Sequence, residues 1–277
     1  MPRRAKAALQ NNSAEITLEI EIKLRVADRD ALRERLARLK AQPTRARVHE
    51  MNTLYDTRDG ALARRGQMIR VRVEREVGRP GKFGRTPGKD ADKRVTLTYK
   101  GPVKDHEARE RRKVRGNGRA AHGGGNRYRS AGPYKVREER EVRASDERAI
   151  AEILGALGLA PRFRYEKYRS TYRLPGIAHV VVELDETPIG DFLELEGRRK
   201  AIDRAASRLG FGRADYITES YGALYARNCA EAGRAVFQNE PGGPVRAAAM
   251  LFRNGERGRR KTNRPETRTR VRRESVV

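Results

Sequence analysis

Between Glu15 and Val26 every even position is apolar and every odd position is polar or charged. The apolar set is Ile16, Leu18, Ile20, Ile22, Leu24 and Val26. Period two over eleven or more residues predicts a β-strand with one buried face and excludes an amphipathic helix. The polar face carries Glu19, Glu21 and Lys23 in a row. Same-face neighbours on a strand stand roughly 6.6 Å apart at the backbone, so two carboxylates so placed repel unless a positive charge joins them. One such strand is compatible with a solvated sheet face balanced by cross-strand ion pairs.

The same device recurs. Acid pairs stand at Glu183/Asp185 and Glu194/Glu196, each alternating with Val or Leu. Basic pairs stand at Arg70/Arg72 and Lys167/Arg169, and Lys100 closes another alternating run. The spacing predicts helices over 27–41, 145–157, 199–210 and 219–231. Their expected inward faces include Leu32, Leu36 and Leu39 in the first and Ile150, Ile153, Leu154 and Leu157 in the second. If these helices cover the apolar face of the sheet, the charged faces turn inward together. Closing the sheet then encloses a charged, water-filled lumen. Carboxylates there suit a hard divalent cation, and Arg and Lys suit phosphate oxygens. An open sheet with a wet, salt-bridged face remains the alternative.

The net charge of +26 is unevenly placed. Residues 1–12, 77–94, 104–135 and 253–277 hold +3, +4, +7 and +7. All four are poor in apolar residues, and they read as a basic lead, two basic inserts and a basic tail. The patterned remainder predicts a single domain over 13–231, with inserts at 77–94 and 104–135 and a disordered tail over 232–277. The single cysteine, Cys229, allows no intrachain disulfide and fits a small buried residue in a reducing compartment. With four His and one Cys, zinc is disfavoured against Mg2+ or Mn2+. No apolar run approaches a membrane span and no signal peptide is visible, so a cytoplasmic location is expected.

Several short motifs occur in a fixed order. They are Glu19-Ile20-Glu21-Ile22-Lys23, Ile69-Arg70-Val71-Arg72, Thr98-Tyr99-Lys100-Gly101-Pro102, Val136-Arg137-Glu138-Glu139 and Glu166-Lys167-Tyr168-Arg169. The stretch from Val182 to Gly197 completes the set. In this order they resemble the CYTH group, also called triphosphate tunnel metalloenzymes, over about residues 15–227. Tyr99-Lys100-Gly101-Pro102, Glu166-Lys167-Tyr168-Arg169 and the helix opening at Ser220-Tyr221 look most like its class IV adenylate cyclase branch. The two inserts and the tail depart from the family pattern.

The resemblance implies an α+β fold: an eight-stranded antiparallel β-barrel, the triphosphate tunnel, with helices packed outside. It implies that Arg70, Arg72, Lys100, Arg137, Lys167 and Arg169 bind a triphosphate. It implies that Glu19, Glu21, Asp185, Glu194 and Glu196 hold Mg2+ or Mn2+, and that Glu19, Glu21 and Lys23 form the catalytic group. The implied chemistry is in-line attack at phosphorus. In a cyclase the ribose 3′-oxygen attacks ATP and pyrophosphate leaves. In an inorganic or thiamine triphosphatase water attacks the terminal phosphorus of tripolyphosphate or thiamine triphosphate. A homodimer is among the assemblies open to the chain, and the sequence does not fix the oligomeric state. A competing reading makes the chain a basic nucleic-acid-binding protein through its inserts and tail. With 6% aromatics, no Trp and no base-reading motif, sequence-specific binding is not expected. A catalytically idle polyphosphate-binding module is the third reading.

Overall fold

The structure is a computed structural model and describes residues 16–77, 93–104, 133–233 and 248–252. The alternating opening run forms β1 (Ile16–Val26). Asp28 then caps α1 (Arg29–Arg38) by accepting from the backbone N–H groups of Asp30 and Ala31. A two-residue strand β2 (Gln42–Pro43) leads to β3 (Val48–Asp56), the short helix α2 (Ala61–Arg64) and β4 (Met68–Glu76). Next come β5 (Lys93–Lys100), β6 (Lys135–Ala144) and α3 (Glu147–Ala156). The chain continues through β7 (Ala160–Arg173), β8 (Val180–Thr187), β9 (Gly190–Gly197), α4 (Arg199–Leu209) and α5 (Tyr221–Glu231) to β10 (Ala248–Met250).

Eight strands close on themselves in the order β7-β3-β4-β5-β6-β1-β9-β8, every neighbouring pair antiparallel, with β8 returning to β7. Closure removes free sheet edges and turns one face of every strand inward. The expected eight-stranded antiparallel barrel with outer helices is the observed fold. Its outward apolar residues pack under the helices. Ile22, Leu24, Leu193 and Leu195 meet Leu32 and Leu36 of α1 and Ile202, Ala205, Ala206 and Leu209 of α4. Gly197 ends β9 at φ +150°, where a Cβ would collide with the His179 carbonyl oxygen. Only glycine makes that turn into α4.

Three details differ from the sequence expectation. In α3 only Ile150 and Leu154 are buried, whereas Ile153 and Leu157 are 61% and 69% exposed. The helix meets the barrel along one i, i+4 stripe against Tyr55, Val71, Val73 and Val95, too narrow to cover the other two. β3 begins at Val48 rather than Met51, which brings Glu50 into the barrel wall. Residues 248–252 fall within the stretch expected as tail, yet β10 pairs in parallel with Phe163–Tyr165 of β7. On β7, β8 pairs only with Tyr168–Tyr172, so β10 takes the edge that β8 leaves open. Its Ala-Ala-Met sequence has little intrinsic strand preference, and tertiary pairing decides its state. The lead at 1–12, most of both inserts, and residues 234–247 and 253–277 lie outside the described residues.

Candidate active site

The inward faces of the barrel enclose a cavity of about 540 Å3. Eight cations line it: Lys23, Arg70, Arg72, Lys100, Lys135, Arg137, Lys167 and Arg169. Seven carboxylates do as well, among them Glu19, Glu21, Glu194 and Glu196. Eleven of the twelve side chains singled out from sequence thus face one space. Asp185 is the exception. It is fully buried on the inward face of β8, and its oxygens accept from Lys167 Nζ at 2.8 Å, Arg169 Nε and Nη2 at 2.6 Å each, and the Tyr221 hydroxyl at 2.7 Å. That set leaves Asp185 as the anchor of two cations rather than a side chain aimed at the cavity.

Strand pairing explains the gathering. β1 runs between β6 and β9, so Glu21 stands opposite both Lys135 and Glu196, and Lys23 opposite Glu194. Lys135 Nζ reaches Glu21 at 2.6 Å, and Lys23 Nζ reaches Glu21 at 3.1 Å and Glu194 at 3.0 Å. Further along the wall Lys100 Nζ of β5 holds Glu139 of the adjacent β6 at 3.2 Å and Glu19 of β1 at 2.5 Å. Arg169 also contacts Glu183 and Glu194. Tyr221, the first residue of α5, stands at the wall with its ring 5.2 Å from Lys23 Nζ and 5.0 Å from Lys167 Nζ. Sequence reasoning placed Lys135 inside an insert, so it missed that cation. It saw Ser220-Tyr221 as a helix start and not as lumen.

Two cations have their own arrangements. Among the described residues Arg137 donates only to backbone carbonyls, those of Gly101 at 2.7 Å, Gly66 at 2.9 Å and Lys100 at 3.3 Å. Arg70 donates to Thr98 at 3.2 Å and Glu141 at 3.3 Å. The carbonyl-held Arg137 keeps its positive charge available to an anion, whereas Arg70 also pairs with Glu141 and, at 3.7 Å, with Glu139.

Charge balance is uneven along the wall. Burial opposes the Glu21 charge, but Lys135 and Lys23 outweigh it and hold its carboxyl well below the usual range. Burial likewise opposes the Lys23 charge, and Glu194 and Glu21 hold its ammonium above the usual range. Glu196 has no cation within 4 Å among the described residues. Glu196 is an exposed residue of the lining; partial desolvation along the wall, then the carboxylates of Glu19 and Glu183, push it up to about 8. Enclosure also pushes Glu183 up to about 7 against the pull of Arg169. Glu19 keeps one buried oxygen, Oε2, without a hydrogen-bond partner among the described residues. An orphaned carboxylate oxygen beside an uncompensated carboxyl is a donor set that fits a hard divalent cation. Among the described residues no three such side chains are already drawn into a cage, because most of the carboxylates are bound to lysine or arginine.

A pH dependence follows. Raised folded-state carboxyl pKa values mean that the folded protein binds protons that the unfolded chain releases. The stabilisation is complete below the ordinary glutamate pKa and is lost as pH rises through about 7 and 8. Chelator-treated protein should therefore melt at progressively lower temperature from pH 6 to pH 9. Mg2+ or Mn2+ should restore the melting temperature most at pH 9, where the carboxylates are free to bind it. A metal-free melting temperature that is flat or rises across this range would contradict the charge balance described.

The CYTH domain family model matches residues 17–221. No curated protein sequence matches the chain. Among solved structures, a candidate adenylate cyclase of Vibrio parahaemolyticus is 16% identical with a TM-score of 0.54, covering 76% of this chain and 99% of its own. A Pyrococcus horikoshii protein is 20% identical with a TM-score of 0.49, covering 76% and 99%. A candidate adenylyl cyclase of Hippeastrum, described as having a dominant triphosphatase activity, is 17% identical with a TM-score of 0.46, covering 78% and 97%. The likeness to the Vibrio parahaemolyticus protein is one of fold. Among the described residues no helix is long and apolar enough to cross a membrane.

Proposed function

This chain belongs to the CYTH domain family of metal-dependent triphosphate tunnel enzymes, and from that premise we propose that it converts ATP to cyclic AMP and pyrophosphate in the manner of a class IV adenylate cyclase. The single observation that carries the phosphoryl chemistry is the closed lumen where eight cations meet seven carboxylates. A triphosphate of about four negative charges needs both parts, cations for its oxygens and a metal to screen it. In this reading Arg70, Arg72, Lys100, Arg137, Lys167 and Arg169 bind the phosphates. Lys135, found only in the structure, joins them. Glu19 and Glu196, with Glu21 and Glu194 adjoining, would hold Mg2+ or Mn2+. The ion would polarise phosphoryl oxygens and neutralise developing charge. Lys23, fixed between Glu21 and Glu194, stays protonated and presents a fixed positive charge to the reacting phosphates.

The cyclase assignment rests on the motifs around Tyr99–Pro102, Glu166–Arg169 and Ser220–Tyr221. The second reading, an inorganic or thiamine triphosphatase, uses the same clamp with water as nucleophile. A soluble cytoplasmic enzyme acting as a homodimer, with non-specific nucleic-acid contacts through the basic tail, completes the proposal. The deciding experiment offers ATP, thiamine triphosphate and tripolyphosphate side by side with Mg2+ and with Mn2+. Cyclic AMP with pyrophosphate supports the cyclase. Orthophosphate from any of the three, without cyclic AMP, overturns it in favour of the hydrolase.

A further inference from the structure

Glu50 on β3 is completely buried, yet among the described residues neither of its carboxylate oxygens has a hydrogen-bond partner. Four cations surround it at contact distance. Arg72 Nε is 3.5 Å away, Lys167 Nζ and Arg169 Nε are 3.6 Å away, and Arg45 Nη2 is 3.7 Å away. Register puts it there, since Glu50 pairs with Lys167 on one side and Glu74 on the other. Arg72, Lys167 and Arg169 line the cavity, whereas Glu50 lies one layer beneath them.

The three lining cations take their orientation from elsewhere. Arg72 Nε donates to Asn52 at 3.1 Å, and Lys167 and Arg169 donate to Asp185. Glu50 therefore supplies charge without directing any side chain. Burial opposes its ionised form, but Arg72, Lys167 and Arg169 hold its carboxyl well below the usual range, so the charge is present at neutral pH. A negative charge beneath three phosphate-binding cations repels any polyanion that reaches them, and low-dielectric surroundings strengthen that repulsion. Binding a product too tightly slows its release.

We propose that Glu50 is a buried counter-charge that limits how tightly the tunnel holds a polyphosphate, and so governs product release. It does not touch the substrate and acts only through its charge on Arg72, Lys167 and Arg169. The proposal rests on the triphosphate reading of the tunnel.

The test is calorimetric binding of tripolyphosphate and of pyrophosphate, in chelator, to the full chain and to Glu50→Gln. Glutamine keeps the volume and removes the charge. Binding should tighten about tenfold or more, and with metal present KM and kcat should fall together. A residue that merely supports the wall would weaken binding or leave it unchanged, and either result with a native melt overturns the proposal. If Glu50→Gln does not fold, Arg45→Gln decides. Arg45 lies outside the cavity lining and shields Glu50 from the solvent side. Its loss should weaken tripolyphosphate binding about threefold, and unchanged binding overturns the proposal. Failure of the unaltered chain to bind either anion would instead refute the triphosphate reading itself.

Discussion

Glu196→Gln should lower metal-dependent turnover by about three orders of magnitude while holding or raising the melting temperature above pH 8. The two effects share one cause. Glu196 has no cationic partner among the described residues and stands near Glu19 and Glu183, so its ionised form is disfavoured until a metal arrives. Glutamine removes the repulsion and the metal ligand together. Glu194→Gln should behave differently. Glu194 neutralises Lys23 and Lys167 at 3.0 and 3.6 Å and also contacts Arg169. Removing its charge leaves buried cations without compensation, which typically costs about 3–5 kcal/mol. Both melting temperature and turnover should fall, and the double substitution should abolish turnover. Paired measurements of melting and of phosphate or pyrophosphate release check this. Full activity in Glu196→Gln, or in chelator, would remove the metal site from the proposal.

This contrast between two carboxylates of one motif was not legible in the sequence. The alternation from Ile16 to Val26 fixed which face of β1 turns inward, and the same logic placed Arg70, Arg72, Glu194 and Glu196 correctly. Period two depends only on local pleat, so it survives without knowledge of neighbours. Which carboxylate finds a cation depends on strand register across the barrel, and a single strand carries no register information. Asp185 shows this most plainly. It shares a strand face with Glu183, yet Lys167, Arg169 and Tyr221 occupy its oxygens. Glu50 was missed because its strand opens on Val48-His49-Glu50, where inward charge and outward histidine blur the alternation. Lys135 was missed because the basic run before it hides the strand start. β10 was missed because a three-residue strand of Ala and Met carries no period at all.

The same network changes which basic residue best separates clamp from scaffold. The strand face that carries Lys167 and Arg169 points away from the outer packing. In the structure both neutralise fully buried Asp185 and Glu50, so truncating either exposes the fold to uncompensated charge. Arg169→Lys should therefore lower the melting temperature and turnover together. A point charge cannot reproduce the two bonds of 2.6 Å that the guanidinium makes to Asp185. Arg137 gives the cleaner test. It has no carboxylate within 4 Å among the described residues and donates only to the carbonyls of Gly66, Lys100 and Gly101. Arg137→Ala should keep a near-native melt, because no buried charge loses its partner. If Arg137 holds phosphate, the variant loses a charge-assisted contact worth about 1.5–3 kcal/mol, or roughly ten- to a hundredfold in triphosphate binding. Tripolyphosphate affinity and melting temperature, measured together on Arg137→Ala and Arg169→Lys, check both statements. A native melt with unchanged affinity in Arg137→Ala would leave Arg137 a support for the loop after β5 and take it out of the clamp.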